Sequence, residues 1–361
     1  MAIDTIGANA LASNSVTTAK IAADAVTSAK IPADAVVASD IADGSITTAK
    51  LADNSVTSAK SVNLGRRNIL INGAFQHWQR GTSFSANGYG SDRWKFYAPG
   101  SHAYARSTDT PSTPNNFEYS ASCTGSGDAT GLTQFVEGKN ALHIPSSGST
   151  KVILSFYLKH TTNSGTAKIT SVVGTMDSIN NSGASTNRST KNHDTTTSWA
   201  RYTHEMTGAD LTAAVTNGLV VTIKHNGSGN TVFLLTGCQL EINESVTPFE
   251  RRDVGEELRL CQRYFFREGL VGEALHYMTT GPVAGQRWYF QTLPVQMRAD
   301  PTDTIYAAGS QGQSGKIQKD DGTFVNVSGS YTSQDTFGVL LSGQTNSNNY
   351  FFFKFDVDAE L

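Results

Sequence analysis

The first 60 residues contain no aromatic side chain. A segment without rings has few means of building a core of its own. No run of 18 apolar residues occurs anywhere in the chain, so no segment is long and oily enough to be expected to insert in a membrane as a helix. Basic blocks are also missing and the net charge is −3, which removes the electrostatic footprint of a nucleic-acid binder. Met1-Ala2-Ile3-Asp4 opens no basic segment followed by an apolar core, so no secretory signal is expected. Cysteine is scarce: Cys123, Cys238 and Cys261 are odd in number and far apart. They argue against a disulfide scaffold and read as buried thiols of a chain folded under reducing conditions.

Chemical signatures are equally sparse. There is no HExxH, no CxxC pair, no phosphate loop and no Gly-x-Ser-x-Gly elbow. The eight histidines are scattered without metal-ligand spacing, and each reads as a lone surface or core residue. No two carboxylates can be singled out as the pair that glycan hydrolysis needs. Glu256 and Glu257 are accounted for by a helix start, where negative charge is favoured. No cofactor, metal site or enzymatic activity is expected.

Gly, Ser, Thr and Asn fill the space left by apolar residues (38%) and charged ones (16%), both below the globular norm, and that mixture suits short strands joined by many turns. From Leu11 the chain falls into five consecutive decapeptides, LASNSVTTAK, IAADAVTSAK, IPADAVVASD, IADGSITTAK and LADNSVTSAK. Position one is Leu11, Ile21, Ile31, Ile41 or Leu51, and position six is Val16, Val26, Val36, Ile46 or Val56. Position ten is a lysine, with Asp40 the exception. A five-residue step turns about 140° around an α-helix, so these residues make no continuous helical stripe, and a ten-residue period is neither a heptad nor an eleven-residue repeat. Turn residues such as Asp43-Gly44 between the apolar positions, with β-branched pairs after them, read as a turn plus a short strand per decapeptide. A rung with two apolar side chains cannot offset about 1–2 kcal/mol per residue of backbone ordering. Identical chains around one axis would share those side chains in a thin core, and threefold symmetry is the economical closed choice. Lysine and aspartate of neighbouring chains could then pair, each pair contributing little.

After Lys60 the composition changes. Lys151–Lys159 alternates Val152, Leu154, Phe156 and Leu158 on one face. Ile169–Val173, Trp199–Met206, Leu219–Lys224 and Thr231–Leu235 are similar runs separated by turn-rich stretches, the pattern of a β-sandwich. Thr175–Ser198 is almost wholly polar and reads as a mobile loop or a polar contact surface. Asp253 followed by Glu256 gives the spacing of a helix cap, and Val254–Arg263 is the expected helix. Beyond it, Arg287–Leu293, Phe324–Val327, Phe337–Leu341 and Phe351–Val357 read as strands of a last β domain. The fold class is therefore mainly β, with a trimeric fibrous repeat shaft, a jelly-roll-like sandwich and a β-rich tip joined by one short helix. The expected divisions are a docking segment (1–10), the shaft (11–60), a connector (61–67), the sandwich (68–252) and the tip (253–361).

Several segments are similar to one family. The decapeptides resemble the shaft repeats of phage and prophage tail fibres. Arg67–Phe84 (RNILINGAFQHWQRGTSF) with Tyr89–Tyr97 (YGSDRWKFY) resembles the opening of fibre modules related to jelly-roll carbohydrate-binding modules. Gln239–Phe266 resembles a junction of the same fibres, and Leu293–Thr302 and Asp358–Leu361 match their C-terminal part. The resemblance implies a homotrimeric virion fibre, made in the host cytoplasm, that adsorbs to a bacterium through a surface polysaccharide or lipopolysaccharide. It also leaves open a structural ion on the sandwich. Many such fibres begin with a sizeable tail-anchoring domain. Here the repeats start almost at once, which implies attachment through another virion or adaptor protein, and leaves room for a neck or head fibre. A polysaccharide depolymerase on the same architecture is the enzymatic alternative.

Aromatic residues are the candidates for sugar contact, because a ring face packs on the apolar face of a pyranose. Trp78, Trp94 and Trp199 lie in strand-like alternation and are expected in the core. Trp288, Tyr289, Tyr306 and Tyr331 fit core packing and receptor contact equally.

Overall fold

The structure is a computed structural model that describes residues 12, 15–32, 35–42, 45–47, 50, 67–112, 116–142, 144, 151–162, 164–176, 185–207, 211, 217–268, 275–280, 284–307, 314–319, 323–343 and 350–360. The chain divides into two units, Met1–Leu64 and Gly65–Leu361. Docking segment 1–10, most of connector 61–67, and shaft positions Leu11, Leu51 and Val56 lie outside the described residues.

In the first unit each of the first four decapeptides, which hold the described residues, is built from two tight turns. The amide at position five bonds the carbonyl at position two, as in Ser15 to Ala12 (3.0 Å) and Ala25 to Ala22 (3.1 Å). The amide at position ten bonds the carbonyl at position seven, as in Lys20 to Thr17 and Lys30 to Thr27, both 2.9 Å. The second turn is a 3₁₀ helix at Thr18–Lys20, Ser28–Lys30 and Ala38–Asp40. The expected turn is present, but the expected short strand is replaced by this 3₁₀ turn, and no strand occurs among the described residues of the unit. Lysine explains part of the difference. Lys20, Lys30 and Lys50 each donate from Nζ to the carbonyl five residues back, at 2.7, 2.6 and 2.6 Å, and so close the turn. Each of these bonds uses one of the three donors of its ammonium. Asp40, the exception at position ten, accepts instead from the amide of Val37 at 3.0 Å.

The second unit opens with two six-stranded antiparallel sheets. The first runs in the spatial order Ser83–Phe84, Ala103–Ser107, Ser120–Ser126, Asn230–Ile242, Lys151–Thr162, Ala200–Thr207. The second runs Gly88–Tyr89, Lys95–Tyr97, Gly131–Val136, Leu219–His225, Gly165–Met176, Ser185–Thr195. The chain crosses between the sheets repeatedly, as in a jelly roll, and both contribute to one core. Val152, Leu154, Phe156 and Leu158 face Ile169, Val173, Val221 and Ile223 there, all fully buried. The alternation in Lys151–Lys159 selects this inward face. Such side chains each contribute about 1.5–3 kcal/mol by leaving water.

Ser185–Thr195 corrects the reading of Thr175–Ser198 as a loop or contact surface: it is an edge strand paired with Gly165–Met176. With water on its outer side it needs no apolar alternation, only residues compatible with an extended backbone.

The helix Val254–Gln262 follows, and Asp253 caps it by accepting from the amides of Gly255 (2.9 Å) and Glu256 (3.2 Å). Glu257 does more than favour the helix start. It is buried, accepts from the amide of Asn72, and takes Arg252 Nη1 at 3.0 Å.

Two smaller sheets complete the unit around a second core. One places Tyr350–Asp358 among Phe265–Arg267, Leu275–Tyr277, Thr302–Ala307 and Lys316–Lys319, with Phe324–Asn326 beyond. The other runs Thr279–Thr280, Arg287–Thr292, Thr336–Leu341, Gly329–Thr332. Phe351, Phe353, Phe355 and Val357 point between them, and Phe337 stacks on Phe355. The segments that carry the family resemblance meet at the junction of the two β parts. Arg93 lies over the ring of Tyr264 at 3.4 Å and pairs with Glu360, both charges buried. Arg80 pairs with Asp358 at 2.9 Å, and Arg267 with Asp356. Arg93–Glu360 is the buried pair among these that crosses the junction, and breaking it would strand its partner's charge.

Candidate functional site

Arg287–Thr292 (RWYFQT) places successive side chains on opposite faces of its sheet, as any strand must. Trp288 and Phe290 therefore share the outer face and Tyr289 takes the inner one. Phe290 lies opposite Gly338, which lies opposite Tyr331 on the next strand, so both rings flank the same glycine. A Cβ at Gly338 would come 2.7 Å from the Phe290 ring, so the ring could not keep this position beside a larger residue. Trp288 stacks parallel to Phe290, centroids 5.5 Å apart and planes 8° from parallel. Phe290 is 56% exposed and Tyr331 55%, too much open ring for a packing role alone. With Leu340, Gly329 and Ser330 they line an open groove of about 450 Å³. Among the described residues no carboxylate lines it. The groove offers flat apolar faces and few hydrogen-bonding groups, suited to stacking on a ligand with an apolar face.

Of the four aromatic residues picked from sequence, the structure joins Trp288 and Tyr331 and separates the other two. Tyr289 packs edge-on against Phe353 (5.2 Å) and His276 (4.5 Å), and burial pushes its hydroxyl pKa up. Tyr306 lies opposite Lys354 in the other sheet, with its hydroxyl donating to Asp356 at 3.3 Å. Phe290, which sequence reading missed, is as exposed as Tyr331 and completes the groove's open rings. The period-two spacing from Trp288 was the available signal.

Trp78 and Trp94 sit in the core as expected, 7% and 0% exposed, with their indole N–H groups donating to the carbonyls of Phe75 (2.6 Å) and Asn72 (3.1 Å). Trp199 does not join them. It is half-buried just ahead of strand Ala200–Thr207, on the outer face of the sandwich. The three cysteines are free and buried, and burial pushes their thiols well up. The histidines are less solitary than their spacing suggested. Ser171 Oγ bridges His193 Nε2 (2.8 Å) and His204 Nδ1 (3.0 Å), and Ser189 Oγ meets His204 Nε2 at 2.9 Å. Burial lowers both to about 4, so they are neutral at pH 7, enclosed and out of reach of a substrate. Among the described residues no group of three or more His, Cys, Asp or Glu could hold a metal ion.

In the first unit the shaft positions Val16, Ile21, Val26, Ile31, Val36, Ile41 and Ile46 are all exposed, between 43% (Ile41) and 56% (Val26, Val36). The turns thus hold an apolar side chain out of the chain at every fifth position.

No family model matches this chain, and no curated protein does. Among solved structures it is similar to an arabinose-bound α-L-arabinofuranosidase at 18% identity and TM-score 0.33, covering 50% of this chain and 27% of that one. It is similar to the CBM22-1 xylan-binding domain of Xyn10C from Paenibacillus barcinonensis at 15% identity and TM-score 0.29, covering 45% and 94%. It is also similar to the enzymatically active domain of tailspike protein 4 of bacteriophage CBA120 at 14% identity and TM-score 0.30, covering 49% and 21%. The chain thus spans only about a quarter of the first of these proteins and a fifth of the third.

Proposed function

We propose that the chain is a structural, non-enzymatic subunit of a homotrimeric phage tail fibre that adsorbs to a host-surface polysaccharide or lipopolysaccharide. Residues 1–10 dock on another virion protein, 11–60 form the shaft, 61–67 connect, and 68–252 and 253–361 are the sandwich and the tip. The observation that carries the reading is the uncovered ladder of Val and Ile at five-residue spacing. Burying it within one chain would need a partner surface that its own turns do not provide, whereas copies around an axis supply that surface to one another. The groove of Trp288, Phe290 and Tyr331, lined by rings and without a carboxylate among the described residues, supports glycan contact at the tip.

The reading is tested by the mass of the purified chain in solution. Light scattering is expected to give three chains per particle, and a well-ordered monomer at micromolar concentration overturns it. Incubating the protein with host polysaccharide is expected to retain the polymer intact, whereas release of oligosaccharides refutes the non-enzymatic part.

A further inference from the structure

A second groove lies on the sandwich, far along the sequence from the tip. It is open, about 460 Å³, and lies on the outer face of the first sheet. Tyr157 and Lys159 on Lys151–Thr162 line it, with Arg201 of the neighbouring strand directly opposite Tyr157. Trp199 forms a wall whose orientation is fixed: its indole N–H donates to Asp109 Oδ1 at 2.9 Å, and Lys159 Nζ holds the other oxygen of Asp109 at 2.6 Å. Thr110, Ser112, Thr197 and Ser198 complete a rim of hydroxyl-bearing residues.

Its charge is unbalanced. Lys159 and Arg201 are both cations, and among the described residues Asp109 is the one carboxylate engaged with either, through Lys159. The guanidinium of Arg201 spends Nη2 on Ser155 Oγ (2.9 Å) and the Thr247 carbonyl (2.5 Å). Its Nε–H is enclosed and out of a ligand's reach, while its Nη1 makes no hydrogen bond among the described residues and is open to solvent. An arginine fixed on one side and unsatisfied on another is set to receive an anion, and a carboxylate suits it best.

We infer that this groove is a second saccharide site, and that it takes a pyranose bearing a carboxylate. The sugar ring packs on Trp199, its hydroxyls meet the polar rim, and its carboxylate lies toward Arg201, which itself covers the buried ring of Tyr157. A neutral sugar would find the same ring face but leave the cationic excess unmet. The site requires neither the trimer nor the tip groove.

The test is a titration of the full-length protein with tetragalacturonate, followed by calorimetry, with cellotetraose as the neutral comparison. The acidic probe is expected to bind at least about tenfold more tightly, with affinity falling as salt is raised. Trp199→Ala and Arg201→Gln are each expected to weaken it at least about tenfold, and Trp288→Ala to leave it unchanged. If Arg201→Gln unfolds, Trp199→Phe serves instead: it keeps a ring and releases Asp109, and retained acidic selectivity is expected. Equal affinity for the two probes, no binding by the folded wild type, or loss in Trp288→Ala overturns the inference. Failure of host-polysaccharide retention in Trp288→Ala alone would bear on the tip groove and leave this site standing.

Discussion

The two units use apolar residues in opposite ways. In Gly65–Leu361 the large side chains are gathered into two cores, where Trp94, Phe156, Phe337 and Phe355 are fully buried. In the described repeats every position-one and position-six side chain is left between 43% and 56% exposed, although Ile and Val are no less oily there. The difference lies in spacing. Alternation by two turns a strand's apolar face toward a second sheet of the same chain, whereas a step of five across paired turns leaves no second surface within reach. The β body satisfies its own hydrophobic groups, and the described ladder leaves its groups exposed, as the proposed assembly of copies requires.

The largest expected effect comes from charging the ladder. Val26→Asp combined with Val36→Asp would place carboxylates without partners along a shared axis, costing several kcal/mol per chain. Light scattering is expected to show the trimer mass replaced by the monomer mass, while the thermal midpoint of the β body stays unchanged. A surviving trimer would break the comparison at its root.

The converse substitution probes the body. Trp94→Ala removes a side chain with no exposed surface and is expected to cost about 3–5 kcal/mol. Denaturant titration followed by circular dichroism should show the loss in the midpoint, with the oligomeric mass retained below that midpoint. If the trimer dissociates together with this loss, assembly depends on the body and the ladder is secondary.

Much of this contrast was legible in the sequence, for identifiable reasons. Val152, Leu154, Phe156 and Leu158 announce their buried face by alternation, and Asp253 announces the helix because a cap is a local interaction. Ser185–Thr195 was illegible because an edge strand holds its place through backbone pairing with Gly165–Met176, which leaves no apolar pattern. The 3₁₀ turns were hidden because Lys20 and Lys30 act on carbonyls five residues back, a side-chain bond that strand propensity does not register. Trp199 was read as core from alternation, yet it stands just ahead of the strand and packs, half-buried, against the smaller outer cluster of Phe117, Tyr157 and Phe249 instead of the sandwich core. Of the tip groove, Trp288 and Tyr331 were visible as residue types, but bringing them together required knowing that Gly338 lies between the strands that carry Phe290 and Tyr331.

The tip groove gives a smaller effect. Trp288→Ala removes the ring stacked on Phe290 and is expected to weaken retention of host polysaccharide about tenfold, the equivalent of about 1.4 kcal/mol. Surface plasmon resonance on immobilised polysaccharide measures it, and an unchanged signal from a folded trimer would move receptor contact away from this sheet.

The smallest effect separates the units by pH. The first 60 residues hold no histidine, whereas burial in the sandwich lowers His160, His193 and His204 from 6.5 to about 4. Once unfolded, each recovers its ordinary value, so below pH 6.5 the unfolded chain takes up protons that the folded chain refuses until about pH 4. Stability that is complete above 6.5 is therefore lost progressively as the pH falls toward 4. The thermal midpoint of the body is expected to drop by on the order of a few degrees between pH 7 and pH 5. The oligomeric mass should stay constant over the same interval. His204→Gln, which cannot charge, should flatten part of that slope. If instead the trimer came apart at pH 5 while the body's midpoint held, acid would be acting on the ladder, and the ascription of the titrating groups to the sandwich would be reversed.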